Sequence, residues 1–447
     1  MPFKRFFGRG NDQPPPPPPD EDLDDETPSE LEGDDEGLAP EAALEADEID
    51  RDWRDRAAAV IPGGASTGSK RAVSIYGPDS MDGPAHFASA QGCRLVTPSN
   101  RTLVDCTMAL GSVAIGYGDE AINRAVLNAV ASGNVCGLSS TAEVELAERL
   151  CEVIPCAEQV RFLKSGGEAM AAAVRIARTA TGRATVIGSG YFGWQDWCSK
   201  GAGIPAGVSA DFVPVPFNDI GALELAGRAA GRNLAAIVLE PVVNEMASAE
   251  WVGAARRICD ATGAVLIFDE MKTGFRLATG GYQQFAGIEP DLAAFGKAMA
   301  NGYPVAAVVG RAAVMEAAEQ TWISVTLAGE SVALSAALAV LDIHAEMDVC
   351  ETLWRVGKQM RESVAAAAAA SGLPGVSVSG IDPMWSIDFE DEGRQRAFLE
   401  RAAAHGVLFK RGPYNYAAVA HDDDAILLEV ERVASTALVE VLEAEER

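Results

Sequence analysis

Apolar and polar positions along this chain fall into two periods, and the switch between them marks where each element begins. Residues 264–268 are consecutive apolar positions bounded by Gly263 and ended abruptly by Asp269 and Glu270. A run that short and that uniformly apolar predicts a strand buried on both faces of a parallel sheet. Similar runs at 235–239 and 305–309, and shorter or less uniform ones at 160–163 and 184–188, predict further strands. Apolar residues recur instead at helical spacing over 120–131, over 141–154, and from Ser165 to Thr181, where Gly182 is a natural stop. Strands alternating with helices in this way predict an α/β fold.

On either side of that alternation the pattern changes. A helix is predicted over 52–60, stopped by Ile61-Pro-Gly-Gly64. Short glycine-punctuated strands then run to about Asp105, which suits a small, partly antiparallel region. From about Val332 onward the chain reads as a linking helix and a second α+β region, closed by a helix over 424–445. Residues 1–50 read as disordered: Pro14 to Pro19 favour an extended polyproline conformation, and the acidic stretch after them has too little apolar surface to offset the entropy of ordering. The opening peptide mixes Phe3, Phe6 and Phe7 with Lys4, Arg5 and Arg9, which reads as a solvated terminus or as a weak docking peptide.

Charge narrows the range of partners. The formal net charge is −29 over 447 residues. Residues 20–50 carry 16 acids and no base, and residues 1–19 carry a net +2, so about −15 belongs to the body. An acidic body argues against nucleic acid. The eight cysteines and four histidines are scattered without metal-ligand spacing, which predicts no structural metal and a reducing cytoplasm. No apolar run reaches the roughly 20 residues a membrane-spanning helix requires, and the first ten residues lack the apolar core of a signal peptide.

Chemistry enters at the ends of the strands. In an open α/β sheet the carboxyl ends of parallel strands face the ligand crevice, which places Asp269 there. Lys297 follows a second apolar segment and can reach the same crevice. The pair has two readings, a structural ion pair or a pyridoxal phosphate site. In the second, the lysine forms the Schiff base and the carboxylate keeps the ring nitrogen protonated. The order of the other strand ends favours the second. Ser165-Gly-Gly-Glu-Ala169 is a strand-to-helix turn whose free N–H groups and helix dipole suit a phosphate. The next strands lead to Gly190-Tyr-Phe-Gly-Trp194, where Tyr191 or Phe192 can stack on a flat ring or simply pack in the core, and to Glu240-Pro241. Thr326 stands near a later helix start, as a phosphate contact or an ordinary cap.

These residues together resemble the class III pyridoxal phosphate aminotransferases of fold type I, and within them glutamate-1-semialdehyde 2,1-aminomutase and the aminomutase-like aminotransferases. The most specific stretch is Asp269-Glu-Met-Lys-Thr-Gly-Phe-Arg276, followed by Phe295-Gly-Lys297 and Gly302-Tyr-Pro304. The likeness covers about residues 52–445. It implies a mostly parallel central sheet in a large domain at 106–331, and a small α+β domain built from both chain ends, 51–105 and 332–447. It also implies that pyridoxal 5'-phosphate is held on Lys297, with Asp269 at its ring nitrogen, Ser165, Gly166 and Gly167 at its phosphate, and Tyr191 against its ring. Glu240 joins this cofactor-binding set, and Thr326 would reach the phosphate of a partner subunit in a homodimer with shared sites. The segment from Ile61 to Lys70 resembles one whose polar end lies near the substrate carboxylate, with Lys70 or Arg71 serving there.

The chain departs from the family pattern at several places. The turn reads SGGEA where SGTEA is usual, so Gly167 lacks a hydroxyl hydrogen bond of order 1 kcal/mol. Phe192 replaces a histidine, Glu245 stands where the family has asparagine, and Glu330 replaces another asparagine. The segment 194–210 is shorter than the gating loop of the mutases, and trapping a diamine intermediate depends on such a lid. The expectation is therefore amino transfer between a small-molecule amino donor and a carbonyl acceptor. The alternatives are intramolecular amino migration on an amino aldehyde, and a non-catalytic scaffold that keeps the fold.

Overall fold

The computed structural model describes residues 40–78, 80 and 83–445, and from Leu44 onward they form one compact unit. Most of the expected disordered tail, including the proline run and the opening peptide, lies outside the described residues.

A seven-stranded sheet forms the centre, in the spatial order Gln159–Leu163, Ala306–Gly310, Leu292–Phe295, Val265–Asp269, Leu234–Leu239, Thr185–Ser189, Phe212–Pro214. Every residue of the four strands from Ala306–Gly310 to Leu234–Leu239 is buried, which is why their apolar runs are unbroken. All pairings are parallel except the two made by Ala306–Gly310, which runs against both neighbours. Its connection from Phe295 spans about ten residues, too short for the dozen or more that a parallel crossover needs. The edge strand Phe212–Pro214 was not legible in the sequence, because three residues ending in a proline carry no period.

Helix Gly166–Thr181 packs its small apolar face, Ala169, Ala172, Ala173 and Ala177 with Met170 and Ile176, onto the sheet. Gly182 ends it in the left-handed conformation at φ 67°, as the stop signal predicts. The fold class is that of the fold type I transferases, a mostly parallel sheet with a smaller α+β region drawn from both ends of the chain. In that region Ser89–Gln91, Arg94–Val96 and Thr102–Asp105 form an antiparallel run, to which Val407–Leu408 adds in parallel. A second sheet joins Val376–Ile381, Met384–Phe389 and Asn415–Tyr416, and the long helices Val349–Ser371 and Asp424–Glu445 pack against each other.

Helix Pro40–Val60 starts well before the expected residue 52, so the last part of the stretch read as disordered is helical. Arg101 explains it: its guanidinium pairs with Asp47 and lies 3.5 Å from Asp50, and Asp50 also accepts a hydrogen bond from Ser99 at 3.0 Å. Acids that repel one another in an isolated peptide are neutralised by a residue about fifty positions away, which no local reading detects.

Candidate active site

Asp269 ends its strand directly opposite Ala294 on the neighbouring strand, so Lys297, three residues further on, emerges on the same rim. The two side chains line one cavity of about 420 Å³ together with Glu240, Lys272, Tyr191, Trp194 and the turn Ser165, Gly166 and Gly167. Lys297 holds a left-handed backbone at φ 53°, a conformation non-glycine residues adopt at a cost and keep where a site fixes it. Asn301, also left-handed at φ 47°, anchors that turn from below: its side-chain oxygen accepts from the Ala114 and Ile115 N–H groups at 3.1 Å, and its amide donates to Gly116 O at 2.8 Å.

The Asp269 carboxylate is buried and accepts a hydrogen bond from the Met271 N–H at 3.0 Å. Burial, reinforced by the charge of Glu240, pushes its pKa up to about 7. Burial likewise pulls the Lys297 ammonium down to about 8, against the attraction of Asp269. A carboxylate under-supplied with donors on one side of a cavity and an amine near neutrality on the other suit a flat ligand that brings a cationic N–H to one and a carbonyl to the other.

The phosphate turn is built as a capping box. Ser165 caps helix Gly166–Thr181 by accepting from the Glu168 N–H, and the Glu168 carboxylate accepts from the Ser165 N–H at 2.9 Å. The N–H groups of Gly166 and Gly167, in the first helical turn, have no intrahelical partner and stand at the positive end of the dipole. A Cβ on Gly166 would lie 2.9 Å from Met271 Sδ, so a side chain there would have to displace the thioether. Lys164, just before the turn, pairs with Glu330 at 2.7 Å, and Glu330 also accepts from the Val332 and Ala333 N–H groups as the cap of helix Ser331–Glu346. The departure at 330 is thus a helix cap and a counter-ion beside the cradle. The site fits pyridoxal 5'-phosphate on these grounds: an anion cradle that a side chain would fill, a carboxylate awaiting a donor, and a near-neutral amine.

The other expected residues divide. Tyr191 is 71% exposed and faces the cavity, while Phe192 is buried in a cluster with Trp197 and Phe212. Both follow the end of the strand Thr185–Ser189, and both line the cavity. Glu240 accepts from the Tyr191 N–H at 3.0 Å and pairs with Lys272 at 2.6 Å. Thr326 does not join them. It is exposed on a separate cavity of about 480 Å³ shared with Cys136 and Arg161, and the cap of the following helix is Glu330. Lys70 lines a third cavity of about 450 Å³ with Lys410 and Phe87, and Arg71 donates to Ala65 O. Glu245 is exposed and accepts from Asn218, away from the ring position.

Sequence reasoning missed Lys272. Its ammonium lies 4.5 Å over the Tyr414 ring and 3.3 Å from the Tyr414 hydroxyl, and the charge of Glu240 overcomes burial to hold it well above an ordinary lysine. The signal was its place three residues after Asp269, inside the most specific motif. In the C-terminal part of the chain, Tyr414 reaches the site through Lys272, whereas His421 is fully buried and Arg411 faces Glu392.

Strand-end carboxylate, near-neutral lysine and glycine cradle on one sheet rim define a pyridoxal phosphate enzyme of fold type I. Residues 76–197 and 211–418 match the profile of the family described as aminotransferase class-III, and the chain belongs to that family. It is 30% identical over 390 residues to the 3-aminobutyryl-CoA aminotransferase of Cloacimonas acidaminovorans (strain Evry), covering 84% of this chain and 93% of that protein. It is 33% identical over 333 residues to the 2'-deamino-2'-hydroxyneamine transaminase of Streptomyces kanamyceticus, covering 74% and 84%. Among solved structures it is similar to the Sphingopyxis sp. MTA144 FumI protein in its PLP internal aldimine form, with 28% identity, a TM-score of 0.84, and 89% and 98% of the two chains covered. The chain is an enzyme of pyridoxal phosphate-dependent amino-group transfer acting on small molecules.

Proposed function

We propose that Lys297 is the residue that carries the cofactor and then serves as the acid–base group of both half-reactions. The observation that carries this reading is the near-neutral Lys297 amine across one cavity from the buried Asp269. Bound pyridoxal phosphate supplies an electron-withdrawing ring that stabilises negative charge on the carbon bearing the amine. Asp269 holds the proton on the ring nitrogen. Ser165, Gly166 and Gly167 hold the phosphate through backbone N–H groups and the helix dipole. Tyr191 would lie against the ring, its backbone fixed by Glu240. Lys297 Nζ, once free of the cofactor, would be the group placed to take a proton from a donor carbon and to return one. A lysine at its ordinary pKa would be protonated and useless as a base, so its burial is part of the mechanism.

The functional unit of this reading is a homodimer, with Thr326 reaching the phosphate held by the partner copy. Its exposed position suits that role, and Trp322 and Leu138, 83% and 86% exposed, leave an apolar surface near it. All eight cysteines are free thiols, which supports a reducing cytoplasmic setting.

The test uses purified protein supplied with cofactor. Wild type shows a visible absorption band that bleaches when an amino donor is added, and Lys297→Ala loses both the band and the half-reaction. A wild-type protein that stays colourless with excess cofactor refutes the assignment. Incubating an amino aldehyde without any external acceptor separates transfer from intramolecular migration, and no conversion is expected.

A further inference from the structure

The phosphate turn carries a glycine, Gly167, where the family pattern has a hydroxyl side chain, and the structure fills the gap from another loop. The Gln195 side chain lies against Gly167, with Oε1 2.6 Å and Nε2 3.0 Å from where a Cβ on Gly167 would stand. The Gly193 backbone closes the same space, since a Cβ there would come within 2.9 Å of the Gly167 Cα. The loop is pinned in this position. Phe192 stacks on Trp197 at 6.0 Å, Trp197 meets Phe212 edge-on at 5.5 Å, and Gln195 O accepts from the Ser199 N–H at 3.2 Å. Within it Gln195 Oε1 is buried and accepts no hydrogen bond.

We propose that Gln195 takes the place of the side chain missing at 167: its carboxamide fills that volume, and its Nε2–H donates to the phosphate held by Ser165, Gly166 and Gly167. The inference rests on the cofactor site described above. Gln195 and residue 167 are then a coupled pair. A threonine at 167 enters only if the Gln195 carboxamide swings aside, and Gln195 supplies the polar contact that the threonine would have made. The carboxamide also locks the loop carrying Tyr191 to the turn that binds the anion, so ring and phosphate contacts are positioned as one unit.

Affinity for pyridoxal 5'-phosphate and for pyridoxal, which lacks the phosphate, is measured by fluorescence titration of cofactor-free protein, with circular dichroism confirming the fold of each variant. Gln195→Glu keeps the shape but replaces the donor with a negative charge, and is expected to weaken pyridoxal phosphate binding by about tenfold or more while moving pyridoxal by less than about twofold. Gly167→Thr alone is expected to weaken phosphate-dependent binding by about tenfold, and Gly167→Thr with Gln195→Ala to return it to within about threefold of wild type. Gln195→Glu shifting pyridoxal phosphate by less than about twofold, equal losses for both ligands, or simple additivity in the double variant each overturns the role of Gln195. Wild type that binds neither ligand sinks the cofactor site itself, and this inference with it.

Discussion

Burial pulls the Lys297 amine down to about 8 and pushes the Asp269 carboxyl up to about 7, so each holds its charge less firmly than it would in water. Only a neutral amine attacks a carbonyl. The rate at which cofactor-free protein takes up pyridoxal phosphate is therefore expected to rise with pH and level off above about 8, where Lys297 has lost its proton. Stopped-flow absorbance across a pH series checks this. A rate still climbing toward about pH 10, where an ordinary lysine titrates, would show that the amine is not buried as described. The carboxylate pair at 269 and 270 illustrates what a sequence leaves open at this scale. Both follow the same apolar run, yet Glu270 turns into the fold, where it accepts from the Thr273 hydroxyl, from the Tyr282 N–H at 2.8 Å and from the Gln283 N–H at 3.0 Å. A fully satisfied carboxylate is a strut, whereas the one with a single donor is left for chemistry.

The strand-to-helix turn is the element on which the site depends, and it was the most legible part of the chain. Ser165, the glycines, Glu168 and the stop at Gly182 are local signals, and the helix Gly166–Thr181 obeys them. Ser165→Ala removes one half of the capping box and is expected to cost about 1 kcal/mol of stability, measured by urea unfolding, and to weaken cofactor binding. An unchanged unfolding midpoint would mean that Glu168 alone holds the turn. The less legible elements are those whose reason lies elsewhere in the chain. Helix Pro40–Val60 begins early because Arg101 neutralises its acids, and strand Ala306–Gly310 reverses direction because its connection is short. Glu330, a departure from the family pattern, is a cap with a lysine partner.

Across the whole molecule, Arg276 joins the sheet that carries the site to the segments that cover it. The guanidinium is fully buried and donates to Ala417 O at 2.8 Å, Gly111 O at 3.3 Å and Pro383 O at 3.4 Å, with Tyr416 4.8 Å from its centre. Arg276→Met leaves those carbonyls without donors and is expected to destabilise the fold by about 3 kcal/mol in urea unfolding; a loss under about 1 kcal/mol would show the segments are held by apolar packing alone. The acidic N-terminal stretch divides at the same scale. Deleting residues 1–39 is expected to leave both turnover and melting temperature unchanged. Deleting residues 1–50 removes Asp47 and Asp50 from Arg101 together with the buried Ala46, and is expected to lower the melting temperature by a few degrees, about what 1 to 2 kcal/mol produces in a domain this large. Differential scanning calorimetry on the two truncations decides it, and equal melting temperatures would refute the division.

The sequence alone determined the alternation of strands and helices, the turn chemistry of the anion cradle, and the order of the residues around Lys297. These follow from period, from glycine and from caps, which act over a few neighbouring positions. Tertiary structure decided that Asp269 rather than Glu270 faces the cavity. It also placed Thr326 and Lys70 outside that cavity, brought Lys272 to it, and set Gln195 against Gly167. Those outcomes depend on burial and on contacts between residues distant in the chain, and a charge or a carboxamide acquires its role only when the fold fixes what surrounds it.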